Sequence, residues 1–171
     1  MKIQVGGLSE GVHPYSFTAT PAELGVEADF AEDIAVEATL EKSNGEFLLR
    51  ATVATNANWQ CDRCVAQYRN PIAAGYQMYY IWEGGDGARF DPAEVQVIPP
   101  GSNMIDIGED VRQTLLLSVP LKRVCREDCK GLCPHCGKNL NEGTCGCTVT
   151  LPDGRWDKLK DLQIKTKHDV R

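Results

Sequence analysis

Ile34-Ala35-Val36-Glu37-Ala38-Thr39-Leu40-Glu41 alternates apolar and polar residues, the period-two signature of a strand with one buried face. Ser43-Asn44-Gly45-Glu46 follows, and its Asn-Gly pair suits a tight hairpin turn. Phe47 to Val53 then resumes the strand pattern, so this stretch sets the first half of the chain as antiparallel β-structure. Downstream, Ile72 to Trp82 is rich in aromatic and apolar residues and reads as another strand. Cys61-Asp62-Arg63-Cys64 lies between the two runs and is predicted near the tip of a second hairpin. Residues 83–103, with Gly84-Gly85, Gly87 and Pro99-Pro100-Gly101, read as a long loop or excursion. Tyr76, Tyr79, Tyr80 and Trp82 sit in acidic surroundings and read as sheet packing, not as a platform for stacked bases.

One helix is legible over 106–119. Asp106 ahead of Ile107-Gly108-Glu109 supplies an Asp cap with Glu at the third position, and Asp110 adds charge to the first turn. Val111, Leu115 and Val119 share one face, Leu116 widens it, and Pro120 ends the run. A shorter helix is expected after Asp153, where Trp156, Leu159 and Leu162 recur every three residues. Both apolar stripes read as core packing. The expected organisation is a β-rich domain over 1–120, a Cys-rich segment over 121–151, and a short helix and tail over 152–171. The fold class is α+β: a mostly antiparallel sheet with one main helix and a C-terminal zinc-binding segment.

The chain of 171 residues is near the usual size of one domain, and 42% apolar with 25% charged residues is ordinary for a globular protein. No run approaches the roughly 18 apolar residues of a membrane-spanning helix, which argues against a membrane partner. The start, Met1 to Gly7, lacks the apolar stretch of a secretory signal, so a cytoplasmic location is expected. Eight cysteines in such a compartment point to metal, because disulfides are rarely kept there. Charge is uneven. Residues 1–120 carry 7 Lys/Arg against 17 Asp/Glu, whereas residues 121–171 carry 11 against 7. Only the C-terminal part can attract a phosphate backbone, and two zinc-thiolate centres at a formal −2 each would cancel most of its positive excess.

The cysteines stand at Cys61, Cys64, Cys125, Cys129, Cys133, Cys136, Cys145 and Cys147. A CxxC turn lets two sulfurs reach one ion at about 2.3 Å, and tetrahedral zinc takes four. Cys133-Pro134-His135-Cys136-Gly137 is a zinc-knuckle sequence, and Cys145-Gly146-Cys147 follows closely enough to return to the same ion. Cys61, Cys64, Cys125 and Cys129 would then form a second site. The competing partition groups Cys125, Cys129, Cys133 and Cys136, leaving Cys61/Cys64 with Cys145/Cys147; spacing leaves both open. A redox role for Cys61 and Cys64 has Trp59 just ahead in its favour, but Pro71 follows soon and no βαβ pattern surrounds the pair. Two filled four-cysteine sites leave no open position for a catalytic water, and His13, His135 and His168 offer no catalytic arrangement, so the chain reads as a non-enzyme. His135 inside the knuckle is an alternative ligand, as Cys₃His sites occur.

Cys61-Asp62-Arg63-Cys64, Ile105-Asp106-Ile107, Leu115-Leu116-Leu117-Ser118-Val119-Pro120 and the block from Cys125 to Asn141 occur in that order. Together they resemble the YceD-like family of bacterial and plastid proteins, linked to accumulation of the large-subunit ribosomal RNA. The resemblance spans about residues 1–163 and is strongest from Asp106 to Leu162. It implies a non-enzymatic role in ribosome biogenesis, with ribosomal RNA or a large-subunit precursor as partner. Two zinc ions per chain would fix a segment with too little apolar content for its own core. That segment would present Arg123, Arg126, Lys130 and Lys138 to phosphate. Lys158, Lys160, Lys165 and Lys167 read as tail charges. The alternative is an adaptor whose acidic half engages a basic ribosomal or processing protein. Oligomeric state is not legible.

Overall fold

In the computed structural model, residues 1–85 and 87–147 are described. The elements in chain order are β1 (Lys2–Gln4), β2 (Gly11–Ala19), α1 (Pro21–Leu24), β3 (Ile34–Ser43), β4 (Glu46–Gln60), β5 (Gln67–Trp82), β6 (Val95–Ile98), β7 (Met104–Asp106) and α2 (Gly108–Ser118). Strands β2-β3-β4-β5-β6 form one sheet, antiparallel except for the parallel β5–β6 pair, and β1 pairs with β7 in a small second sheet. The expected α+β class with a predominantly antiparallel sheet and one main helix is what the chain adopts. The helix expected after Asp153, with Trp156, Leu159, Leu162 and the tail lysines, lies outside the described residues.

The alternation around Ile34 does what its period requires. Ile34, Val36, Ala38 and Leu40 of β3 and Phe47, Leu49, Ala51 and Val53 of β4 are buried on one face. Asn44 and Gly45 both take positive φ, 52° and 79°, the left-handed pair that matches the twist of a two-residue hairpin. Helix α2 covers the buried face through Val111 and Leu115, both at 0% exposure. Leu116 is not part of that face: it is 36% exposed, and Leu117 beside it is 85% exposed. The helix begins later than expected. Ile107 occupies the cap position without a side-chain bond, and Asp106, one residue earlier, accepts the Gly108 N–H at 3.0 Å. Asp110 fastens the helix to the sheet, accepting from Tyr80 Oη at 3.0 Å and from Gln96 Nε2 at 2.8 Å.

The second hairpin is longer than its sequence pattern suggests. Strand β3 pairs with β4 only up to Ala54, whereas β4 and β5 continue to pair from Thr55↔Ile72 out to Gln60↔Gln67. Six residues of each strand, about 20 Å at the usual strand rise, therefore project past β3 as a two-stranded arm. The loop after α1 packs beneath it. Trp59 on the arm is buried, donates from Nε1 to the Asp29 carbonyl at 3.2 Å, and meets Tyr68 edge-on. The expected excursion over 83–103 contains a 3₁₀ turn (Gly87–Arg89) and strand β6.

Candidate metal centres

The arm carries Cys61 and Cys64 at its tip, and the chain leaving α2 brings Cys125 and Cys129 against them. Asp62 makes this docking specific: its backbone N–H donates to the Arg123 carbonyl at 2.7 Å, and its carboxylate accepts the Arg123 N–H at 2.6 Å. Arg63 completes the clamp, donating from Nη1 to the carbonyls of Glu127 (3.1 Å) and Cys129 (2.9 Å). The result is a group of four sulfurs, Cys61, Cys64, Cys125 and Cys129, all within 4.8 Å of one another. Cys61, Cys64 and Cys129 are buried, with Tyr68 and Val124 packed against them.

A second group, Cys133, Cys136, Cys145 and Cys147, gathers its sulfurs within the same 4.8 Å. It forms locally. Cys133 N–H donates to the Lys138 carbonyl at 2.8 Å, and Gly137 N–H to the Cys133 carbonyl at 2.9 Å, with Gly137 at φ +72° turning the knuckle. The eight cysteines thus fall into the first of the two partitions open to the sequence, and His135 is in neither group. Its N–H points at Cys133 Sγ, 3.5 Å away.

Both groups can hold a metal ion. Four sulfurs at about 2.3 Å from a tetrahedral ion lie about 3.8 Å apart along each edge. In the first group Cys61 and Cys129 are 3.8 Å apart and Cys64 and Cys125 3.7 Å apart. Local hydrogen bonding splits the thiols into unequal acids. Burial pushes Cys61 up, but the N–H groups of Cys125, Cys64 and Arg63 outweigh it and bring it down to about 6. Burial and the sulfurs of Cys64, Cys129 and Cys61 push Cys125 up to about 12. The second group repeats the split: the Cys136 and His135 N–H groups bring Cys133 down to about 6, and the Cys136 sulfur, then burial, push Cys147 up to about 12. Thiols that oppose one another's ionisation in this way are the ones a central cation would relieve.

Asn141 joins the two groups. It lies in the loop between Cys136 and Cys145, yet its Nδ2 donates to Cys129 Sγ of the first group at 3.4 Å. Its Oδ1 accepts the Lys130 N–H and Arg126 Nη2, both at 2.9 Å. Gly131, at φ +74°, passes so close to Arg63 that a Cβ there would stand 2.9 Å from the Arg63 carbonyl oxygen.

The four basic residues expected to face phosphate are placed differently. Arg123 is committed internally: its guanidinium is 2.6 Å from Asp29 Oδ1 and lies over the Trp59 ring at 5.2 Å. Arg126 pairs with Asp128 at 3.2 Å as well as with Asn141. Lys138 donates to the Thr144 carbonyl at 2.8 Å. Lys130 is exposed. Asp62, Arg63 and Asn141 escaped the sequence reading; the Asn141 role has no spacing signature, whereas Asp62 and Arg63 stand inside the CxxC itself.

No described helix is long and apolar enough to cross a membrane. The family described as large ribosomal RNA subunit accumulation protein YceD matches residues 49–163. An uncharacterized protein of Mycobacterium tuberculosis is 27% identical over 147 residues, covering 84% of this chain and 70% of that protein. Large ribosomal RNA subunit accumulation protein YCED homolog 1, chloroplastic, of Arabidopsis thaliana is 33% identical over 75 residues, 43% of this chain and 23% of that protein. The Zea mays protein of the same description is 44% identical over 50 residues, 29% of this chain and 17% of that protein. No solved structure matches.

Proposed function

Because this chain belongs to the YceD family of large ribosomal RNA subunit accumulation proteins, we propose that it is a non-enzymatic, zinc-built factor supporting accumulation of that RNA. The observation that carries the metal part is the pair of sulfur tetrads, each gathered within 4.8 Å, the first with edges of 3.7 and 3.8 Å where a tetrahedral zinc needs about 3.8 Å. Cys61, Cys64, Cys125 and Cys129 hold one ion, and Cys133, Cys136, Cys145 and Cys147 the other. All-thiolate donors suit zinc, and four donors close each centre, so the role is structural. The protein purified without added metal is expected to carry two zinc ions per chain and to release reactive thiols only on chelation. Intact disulfides with no zinc would sink this reading.

In this reading the metal-braced segment meets ribosomal RNA or a large-subunit precursor through Lys130, Lys138 and Arg126, while Arg123 holds the arm in place. Binding of large-subunit RNA is expected to fall with salt and with the double change Lys130→Glu, Lys138→Glu. A salt-independent complex unaffected by both changes would remove direct RNA contact. The solvent face of the sheet favours a second reading. It presents Glu37, Glu41 and Glu94, with Arg50 paired to Glu41 at 3.4 Å, around a floor of small residues, Ala35, Ala54, Ala73 and Gly75. An acidic surface of this kind suits a basic ribosomal or processing protein. Capture of such a protein after nuclease treatment, lost on Glu37→Lys with Glu41→Lys, would select the adaptor.

A further inference from the structure

The two sulfur groups share a donor set but differ in accessibility. In the first, Cys61, Cys64 and Cys129 are buried at 1%, 6% and 4% exposure under Tyr68 and Val124. Cys129 accepts a hydrogen bond from Asn141 Nδ2, outside the group, and Cys61 from the N–H of its fellow member Cys125, while in the second group the buried Cys133 accepts from the His135 N–H. In the second, only Cys133 is buried; Cys145 is half-buried and Cys136 and Cys147 are exposed. Thiolates oxidise in proportion to their charge and their access to solvent, and a bound zinc keeps all four deprotonated at neutral pH. N–H donors that lower a sulfur's basicity also lower its nucleophilicity. The sulfurs of the exposed residues Cys136 and Cys147 lie within 4.8 Å of each other, close enough for either to resolve an oxidised partner.

We propose that the second cysteine group is a peroxide-responsive modification site, at which a hydroperoxide couples Cys136 to Cys147 and frees that group's zinc while the first group keeps its own. The proposal rests on the two-zinc reading above. The thiolate of Cys147 attacks one oxygen of the hydroperoxide; the O–O bond breaks and the other oxygen leaves as water or alcohol after taking a proton. The resulting sulfenic acid is attacked at sulfur by the Cys136 thiolate, forming the S–S bond and expelling hydroxide, which a second proton converts to water. Two thiolates lose two electrons to the peroxide, and zinc, left with two of its four ligands, departs. A dithiol reductant and zinc restore the centre.

The test uses the full chain loaded with zinc, treated with hydrogen peroxide in the presence of a chromogenic zinc chelator and mapped by non-reducing peptide mass spectrometry. One equivalent of zinc is expected to leave together with a Cys136–Cys147 disulfide, and the second equivalent about tenfold more slowly or not at all. Reduction and added zinc should return the starting stoichiometry. Simultaneous loss of both ions, a disulfide among Cys61, Cys64, Cys125 and Cys129, or no release at peroxide levels that oxidise free cysteine would overturn the proposal while leaving the two-zinc reading standing. Fewer than two zinc ions before peroxide would instead overturn the two-zinc reading, and the proposal with it.

Discussion

Asn141 is the residue on which the Cys-rich segment turns. Its amide donates to Cys129 Sγ and to Asn139 Oδ1, and accepts from Arg126 Nη2 and the Lys130 N–H, in the residues that follow Cys125 and Cys129. Asn141→Ala removes all four bonds and is expected to lower stability by about 1–3 kcal/mol, read by urea denaturation. Asn141→Asp keeps the acceptor but sets a carboxylate against the Cys129 sulfur, so it separates the two roles. Both variants are expected to speed zinc loss from the first group; an unchanged off-rate in both would show that the donor is idle. At Arg123, replacement by Lys should cost stability as well, because an ammonium cannot lie flat on Trp59 while pairing with Asp29. RNA affinity per folded molecule should stay constant in that variant. At this scale the cysteines were legible, since spacing alone announces a thiolate site. Their partition was not, because the meeting of Cys61 with Cys129 is made by the pairing of β4 with β5 and by the Arg63 clamp.

Elements were legible where periodicity was strong and local. The β3–β4 hairpin and α2 follow directly from alternation, an Asn-Gly turn and a terminal proline. Strand β2 was missed although Tyr15, Phe17 and Ala19 alternate with Ser16 and Thr18, because Pro14 and Gly11 weaken the pattern; both are tolerated at a sheet edge. A Thr20-Pro21-Ala22-Glu23 capping box opens α1, with Thr20 N–H donating to Glu23 Oε2 at 2.7 Å. Strand β6 was not legible, since parallel pairing with β5 leaves no local mark. The fastening of α2 makes its own prediction. Burial holds the Asp110 carboxyl above the usual aspartate range, against the opposing pull of Tyr80 and Gln96. A raised folded-state value means that the ionised group weakens the fold at neutral pH, and that the penalty disappears as pH falls below its unfolded value. Asp110→Asn keeps an acceptor for Tyr80 or Gln96 and offers an N–H toward Tyr76 Oη, which has no hydrogen-bond partner among the described residues. The variant is expected to equal or exceed the parent in stability at pH 7 and to lose that advantage below about pH 4. Denaturation midpoints across this range test it; a parent that is more stable at pH 7 than at pH 4 relative to the variant would refute it.

For the whole molecule, the apolar core and the two cysteine groups are separate sources of order. Val36, Leu40, Phe47, Leu49, Val53 and Leu115 pack without any cysteine, whereas the Thr55–Gln60 end of β4 has no β3 neighbour. Removing metal is therefore expected to leave far-ultraviolet strand signal largely intact. Amide exchange should accelerate at Ala57–Gln60 and Gln67–Asn70 and throughout 121–147. Cooperative loss of the entire sheet on chelation would contradict this division. The Gly131→Ala variant belongs to the same scale: a Cβ 2.9 Å from the Arg63 carbonyl in a left-handed backbone should pry the two groups apart and mimic partial demetallation. The projecting arm has a last consequence, for the order in which the protein assembles. The second group closes within the 15 residues from Cys133 to Cys147, and the first joins positions spanning 69 residues from Cys61 to Cys129. Loop-closure entropy separates the two by only about 1.4 kcal/mol, but the greater difference is topological. A nascent chain can fill the local group by short-range encounter as soon as Cys147 is available, whereas the distant group waits for a hairpin to form and a helix to dock. Zinc capture at the first centre would then mark completed folding, and a chain that stalls with one ion would be identifiable by its stoichiometry.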